Sequence, residues 1–111
     1  MPGTMLSRGN LVMSYLIGPS LTPTAVAVST STEQLFTISG LLPGDEVGAV
    51  GFSSTQTAGI GIANTRVSAA NTLAIQFSNN SAATATPAAG QYVIEINRPE
   101  VGAAALPTNL A

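Results

Sequence analysis

The run from Gln91 to Asn97, QYVIEIN, sets Tyr92, Ile94 and Ile96 on one face and Val93, Glu95 and Asn97 on the other. A period of two is that of a β-strand, whose successive side chains point to opposite faces. The same period recurs in short runs along the chain, and apolar residues never settle into helical spacing. In AVAVST, Val26 and Val28 share a face. In EQLFTIS, Phe36 and Ile38 oppose Leu35 and Thr37. VGAVGFS aligns Val50 with Phe52, and its glycines, Gly48 and Gly51, point to a bulge or to close approach of another backbone.

TRVS and TLAIQFS read as a hairpin closed around Ala69, Ala70 and Asn71, with Leu73, Ile75 and Phe77 on its buried face. LLPGDE is a turn, because Pro43 presets φ and Gly44 tolerates positive φ. NNSAATATPAAG is a long polar loop. The pattern amounts to roughly six to eight strands with turn signals every 8–12 residues or so, which predicts an all-β fold. We expect a small antiparallel β-sandwich over residues 22–98. Residues 1–21 and 99–111, rich in Gly, Pro and Ala, are expected to be an N-terminal interaction arm and a C-terminal tail. Alternation and turn spacing alone do not separate jelly-roll from immunoglobulin-like strand order.

Charge is the scarce commodity. Charged residues make up 7% of the 111 residues, against about 25% in an average soluble domain. Ser and Thr supply 24 hydroxyls instead. Three arginines at positions 8, 66 and 98 make no basic stripe, so nucleic acid is not an expected partner. Pro19, Pro23 and the Ser/Thr content argue against a membrane span. Arg8 followed by NLVMSYLIGPS loosely mimics a secretory signal, but the apolar part is short and interrupted by Ser14 and Tyr15, so none is expected.

The inventory for catalysis is thin. There is no His, Lys or Cys to activate a nucleophile, so we expect no enzyme and no catalytic residues. Asp45 and Glu46 are adjacent but follow Pro43-Gly44, and read as solvated turn charges. No acidic cluster has calcium-loop spacing, so neither metal nor cofactor is expected. GIGIAN, residues 59–64, carries a G-x-G without a following helix pattern and reads as loop or strand. Asn79-Asn80-Ser81 is formally a glycosylation acceptor but reads more simply as a turn.

One segment has no comfortable assignment. LVMSYLIG, from Leu11, is either a further strand or an arm that buries its side chains on a partner. Five or six apolar side chains at about 1.5–3 kcal/mol each give roughly 10 kcal/mol gross. Ordering some 17 residues at about 1–2 kcal/mol apiece cancels it. Pairing with a neighbouring sheet edge would tip the balance. The candidate partner-contact residues are therefore Leu11, Val12, Met13, Tyr15, Leu16 and Ile17.

The order of EQLFTISGLLPGDEV, then TRVSAANTLAIQF, a T-P-x-x-G stretch and the Y-x-I-x-I strand, residues 33–96, resembles that of small β proteins encoded beside the capsid gene in tailed bacteriophages. Length and charge-poor composition are similar to the capsid decoration, or stapling, proteins of epsilon15-like phages. The resemblance implies a jelly-roll-like sandwich on the outer surface of an icosahedral head. It further implies a homodimer astride two-fold positions that clamps neighbouring major capsid subunits after the shell expands. It offers no short motif from which site residues could be carried over. The alternative is an immunoglobulin-like or carbohydrate-binding sandwich module of a secreted or phage-fibre protein, since fold alone does not decide function.

Overall fold

The computed structural model describes residues 10–100 and 106–109. Among the described residues seven strands account for the regular structure: β1 Leu11–Ile17, β2 Ser20–Leu21, β3 Ser31–Thr37, β4 Glu46–Phe52, β5 Ile60–Ala69, β6 Thr72–Asn79 and β7 Gly90–Pro99. There is no helix among the described residues. The expected all-β sandwich is the fold. β7 runs through the middle of one sheet, with β1 and β2 end to end along one side and β4 along the other; β3, β6 and β5 form the second sheet in that order. All pairings are antiparallel.

The alternation read from the sequence sets the inner faces. Leu73, Ile75 and Phe77 of β6 meet Tyr92, Ile94 and Ile96 of β7 in one core with Leu21, Val26 and Leu41. The Phe77 and Tyr92 rings touch edge to face across the sheets, centroids 6.4 Å apart. The Tyr92 hydroxyl donates to the Ala88 carbonyl (2.7 Å) and accepts from Gln56 Nε2 (3.0 Å). A tyrosine at the start of a late strand, bonded to backbone a few residues upstream, is the tyrosine corner of immunoglobulin-like sandwiches.

Strand order agrees with that corner. The pairings β3-β6-β5 and β4-β7 are the B-E-D and C-F pairings of immunoglobulin-like sandwiches. β1 takes the place beside β7 where the last strand of such a sandwich would lie. Of the two orders that alternation left open, the chain follows this one.

The bulge expected near Gly48 is present, as the β4–β7 register shifts between Val47 and Ala49. The Pro43-Gly44 turn forms as read, with Gly44 at φ 93° and the Asp45 N–H bonded to the Leu42 carbonyl. Two strand readings change. Val26 makes only an isolated bridge to Ala85, and Val28 is exposed. Residues 10–21 are backbone-paired along β7 rather than standing apart from the sandwich. Of the segments read as arm and tail, residues 1–9, 101–105 and 110–111 lie outside the described residues.

Candidate interaction surface

The polar groups inside the sandwich are committed to one another. Asp45, expected to be a solvated turn charge, is buried, 8% exposed. Arg98 reaches it from the inner side of β7 with two bonds, Nε to Oδ1 at 2.7 Å and Nη2 to Oδ2 at 2.8 Å. The Leu42 N–H donates to the same carboxylate, and Arg98 Nη2 also donates to the Gly40 carbonyl. The hydrogen bonds from Arg98 hold the Asp45 carboxyl below the usual carboxylate range, outweighing its desolvation, and raise the guanidinium in turn. This group clamps the β3–β4 loop onto β7. Glu46 is exposed, as expected, and accepts from Asn97 Nδ2.

Asn79 is fully buried. Its Nδ2 donates to the Val26 and Ala83 carbonyls, and its Oδ1 accepts from the Ser81 N–H and hydroxyl. The turn reading of Asn79-Asn80-Ser81 is the structural one, since a buried amide with both hydrogens engaged offers no acceptor for a glycan. Burial raises the Tyr92 phenol, and the bond from Gln56 partly offsets this. Among the described residues every buried side-chain nitrogen or oxygen has a partner. No three His, Cys, Asp or Glu groups among them gather as a metal centre.

The outer face of the β3-β6-β5 sheet carries a second, solvent-exposed ion pair. Arg66 on β5 and Glu33 on β3 form two bonds, at 2.8 and 2.9 Å, over the central strand between them. That pairing lowers the Glu33 carboxyl and raises Arg66. Beneath it Ala74 of β6 is fully buried.

Of the six residues expected to contact a partner, four are open to solvent: Leu16 at 67%, Val12 at 61%, Leu11 and Tyr15 each at 49%. Met13 and Ile17 are half-buried, and Ile17 packs on the core. The register explains the split. Tyr15 and Ile17 lie opposite Ile96 and Ile94, so they point to the inner side, where Tyr15 overhangs the rim. Ser14 and Leu16 lie opposite Asn97 and Glu95 on the outer face. There the Ser14 hydroxyl donates to Asn97 Oδ1, and Val93 extends the apolar patch onto β7.

Two contributors were not anticipated. Leu106 and Pro107 join Asn10, Leu11, Glu46 and Pro99 around a shallow groove of about 280 Å³ at the start of β1. Leu106 sits in a stretch without periodicity, so no sequence signal marked it. Leu35, by contrast, falls by alternation on the face opposite Phe36, and it is exposed as that placement requires.

The fold and surface thus define a small antiparallel β-sandwich with one uncharged, apolar edge. Comparison with protein-family models, curated proteins and solved structures gives no significant match to the chain. No helix among the described residues is long and apolar enough to cross a membrane.

Proposed function

We propose that the protein is a structural component of a phage virion, a capsid decoration (cement) protein. It binds the outer surface of an icosahedral head and staples neighbouring major capsid subunits in the expanded shell. The observation that carries this reading is the β1 region. Four large apolar side chains stand exposed on one uncharged strand, away from the Arg66–Glu33 and Arg98–Asp45 ion pairs found among the described residues. A surface of hydroxyls, amides and apolar groups can lie on another protein without stranding unpaired charges, which cost several kcal/mol each when buried. Linked contacts from one rigid body to two or more shell subunits act at high effective concentration, so modest contacts suffice to hold the shell.

The test is co-sedimentation with expanded, undecorated heads assembled from the major capsid protein of the same phage. Removing residues 1–20 would strip β7 of a neighbour and confuse binding with folding. Val12→Asp with Leu16→Asp changes only outward side chains. Saturable binding by the wild type that this double variant weakens at least tenfold supports the reading. A folded wild-type chain that fails to sediment with heads overturns it.

The strand order favours one other reading, an immunoglobulin-like module of a secreted or phage-fibre protein. That reading predicts no affinity for heads and retention by a carbohydrate or fibre partner.

A further inference from the structure

We propose that β1 is a strap that lifts as a unit from the side of β7, hinged at Gly18, while the rest of the sandwich stays folded.

The argument begins with what each strand puts into the core. β6 buries Leu73, Ile75 and Phe77 there, and β7 buries Tyr92, Ile94 and Ile96. β4 packs Val47, Val50 and Phe52 against it, and β5 packs Ile60 and Val67. β3 packs Phe36 and is held by its buried Gln34, which exchanges two hydrogen bonds with the Thr24 backbone. β1 is as long as β3 or β4, yet among these packed residues it supplies Ile17, its last position. Among the described residues it pairs with β7 alone. A backbone ladder and the Ser14–Asn97 hydrogen bond make that pairing, and its register breaks between Leu11 and Met13. Closing β1 thus takes little apolar surface out of water, which is the main return for ordering a chain. A segment held mostly by surface backbone bonds opens at a lower free energy than the core does.

The far end of the strap is pinned. Leu21 is buried, and the Tyr92 N–H donates to the Pro19 carbonyl. Gln91 Nε2 donates to the Gly18 carbonyl at 3.2 Å. A Cβ on Gly18 would lie 2.6 Å from that nitrogen, so glycine is what lets Gln91 fold over the chain here. These contacts keep residues 18–21 on β7 and set the hinge just after Ile17. Lifting β1 leaves the core closed, because Tyr92, Ile94 and Ile96 still face the opposite sheet and β4 still flanks β7. What it uncovers is the backbone edge of β7. Covering a sheet edge is one way that proteins protect it, and in this chain the cover is removable.

The inference goes beyond the decoration role and does not rest on it, since lifting is measured on the free chain.

Antiparallel pairing gives the test its resolution, because successive residues of a strand turn their backbone groups to opposite neighbours. The Tyr92 N–H meets the Pro19 carbonyl on one side of β7, and the Gln91 carbonyl meets the Ser53 N–H on the other. Ile94 and Ile96 therefore turn to β1, opposite Ile17 and Tyr15, whereas Val93 and Glu95 turn to β4, opposite Gly51 and Ala49. Hydrogen exchange followed by NMR on the full wild-type chain should give the amides of Tyr15, Ile17, Ile94 and Ile96 a common protection, at least about a hundredfold below that of Val93 and Glu95. The chain has no cysteine, so Leu16→Cys with Glu95→Cys, an opposed pair on the outer face, can close one disulfide across the two strands. Such non-hydrogen-bonded pairs lie about 4.5 Å apart at Cα, within disulfide reach. Oxidised, this variant should raise the amides facing the β1–β7 seam to the level of Val93 and Glu95; reduced, it should return to the wild-type pattern. Ile17→Ala should lower the seam amides further and leave Val93 and Glu95 unchanged. Equal protection on the two sides of β7, or an oxidised lock that leaves the seam amides as they were, would overturn the strap. So would an Ile17→Ala loss spread evenly over both sides.

Discussion

Asp45 shows how far a residue's local sequence can mislead. Pro43 and Gly44 mark a turn, and the turn is there, with the Asp45 N–H closing on Leu42. What buries the carboxylate is Arg98, 53 positions away in the chain, and nothing local encodes that meeting. Asn79 was legible to the same extent: its turn was visible, but its burial depends on the Val26 carbonyl brought in from the connection between β2 and β3. The consequence for Asp45 is a pH dependence of definite sign. Its folded pKa lies below its unfolded value, because Arg98 bonds the charged form. The unfolded chain therefore takes up the proton first as pH falls. The stabilisation is complete above the ordinary aspartate pKa, near 3.9, and drains away as pH drops toward and through the lower folded value. Thermal midpoints should be flat from neutrality to about pH 5 and decline below it. Asp45→Asn should remove part of that acid slope. It should also cost about 2–4 kcal/mol at pH 7, since Arg98 is left facing a neutral amide. Chemical denaturation of both chains across the acid range measures both effects.

At the scale of the element, alternation identified the inner faces of β6 and β7 residue by residue, because a period of two leaves a strand only one way to face a core. Leu73, Ile75, Phe77, Tyr92, Ile94 and Ile96 were all placed correctly and are all buried. Pairing order was not legible. The partner of a strand is set by which edges meet after the chain crosses between sheets, and the strands here carry interchangeable patterns. Sequence alone does not decide between strand and arm for β1 for an energetic reason: its own burial barely offsets the cost of ordering it. β7 supplies the backbone bonds that decide the matter. β6 is the element on which the sandwich most depends, as it lies between β3 and β5 and meets β7 through the core. Phe77→Ala empties the contact with Tyr92 at the middle of that core. It should cost about 3–5 kcal/mol, read as a shift in denaturation midpoint at constant slope. A loss below about 1 kcal/mol would mean that the two sheets are not packed through this ring.

For the molecule as a whole, the question is how a chain with three basic and five acidic residues presents itself to a partner. Two of its arginines are spent on bidentate pairs within the sandwich. β1, the surface assigned to contact, has no formal charge from Leu11 to Ile17. Association through such a surface draws on apolar burial and backbone pairing, neither of which is screened by salt. Interactions between exposed charges fall off over a Debye length that shrinks from about 30 Å at 0.01 M to about 3 Å at 1 M. Binding to heads should therefore change by less than about threefold between 0.05 and 0.5 M sodium chloride, a modest shift for contacts that salt barely screens. High concentrations of a strongly excluded salt such as ammonium sulfate should strengthen it, because they favour apolar burial. A decline of tenfold or more with sodium chloride would place charged groups in the contact. In that event the grip would have to move from β1 to the outer face near Glu46 and Glu95, where acidic side chains of this sheet are found.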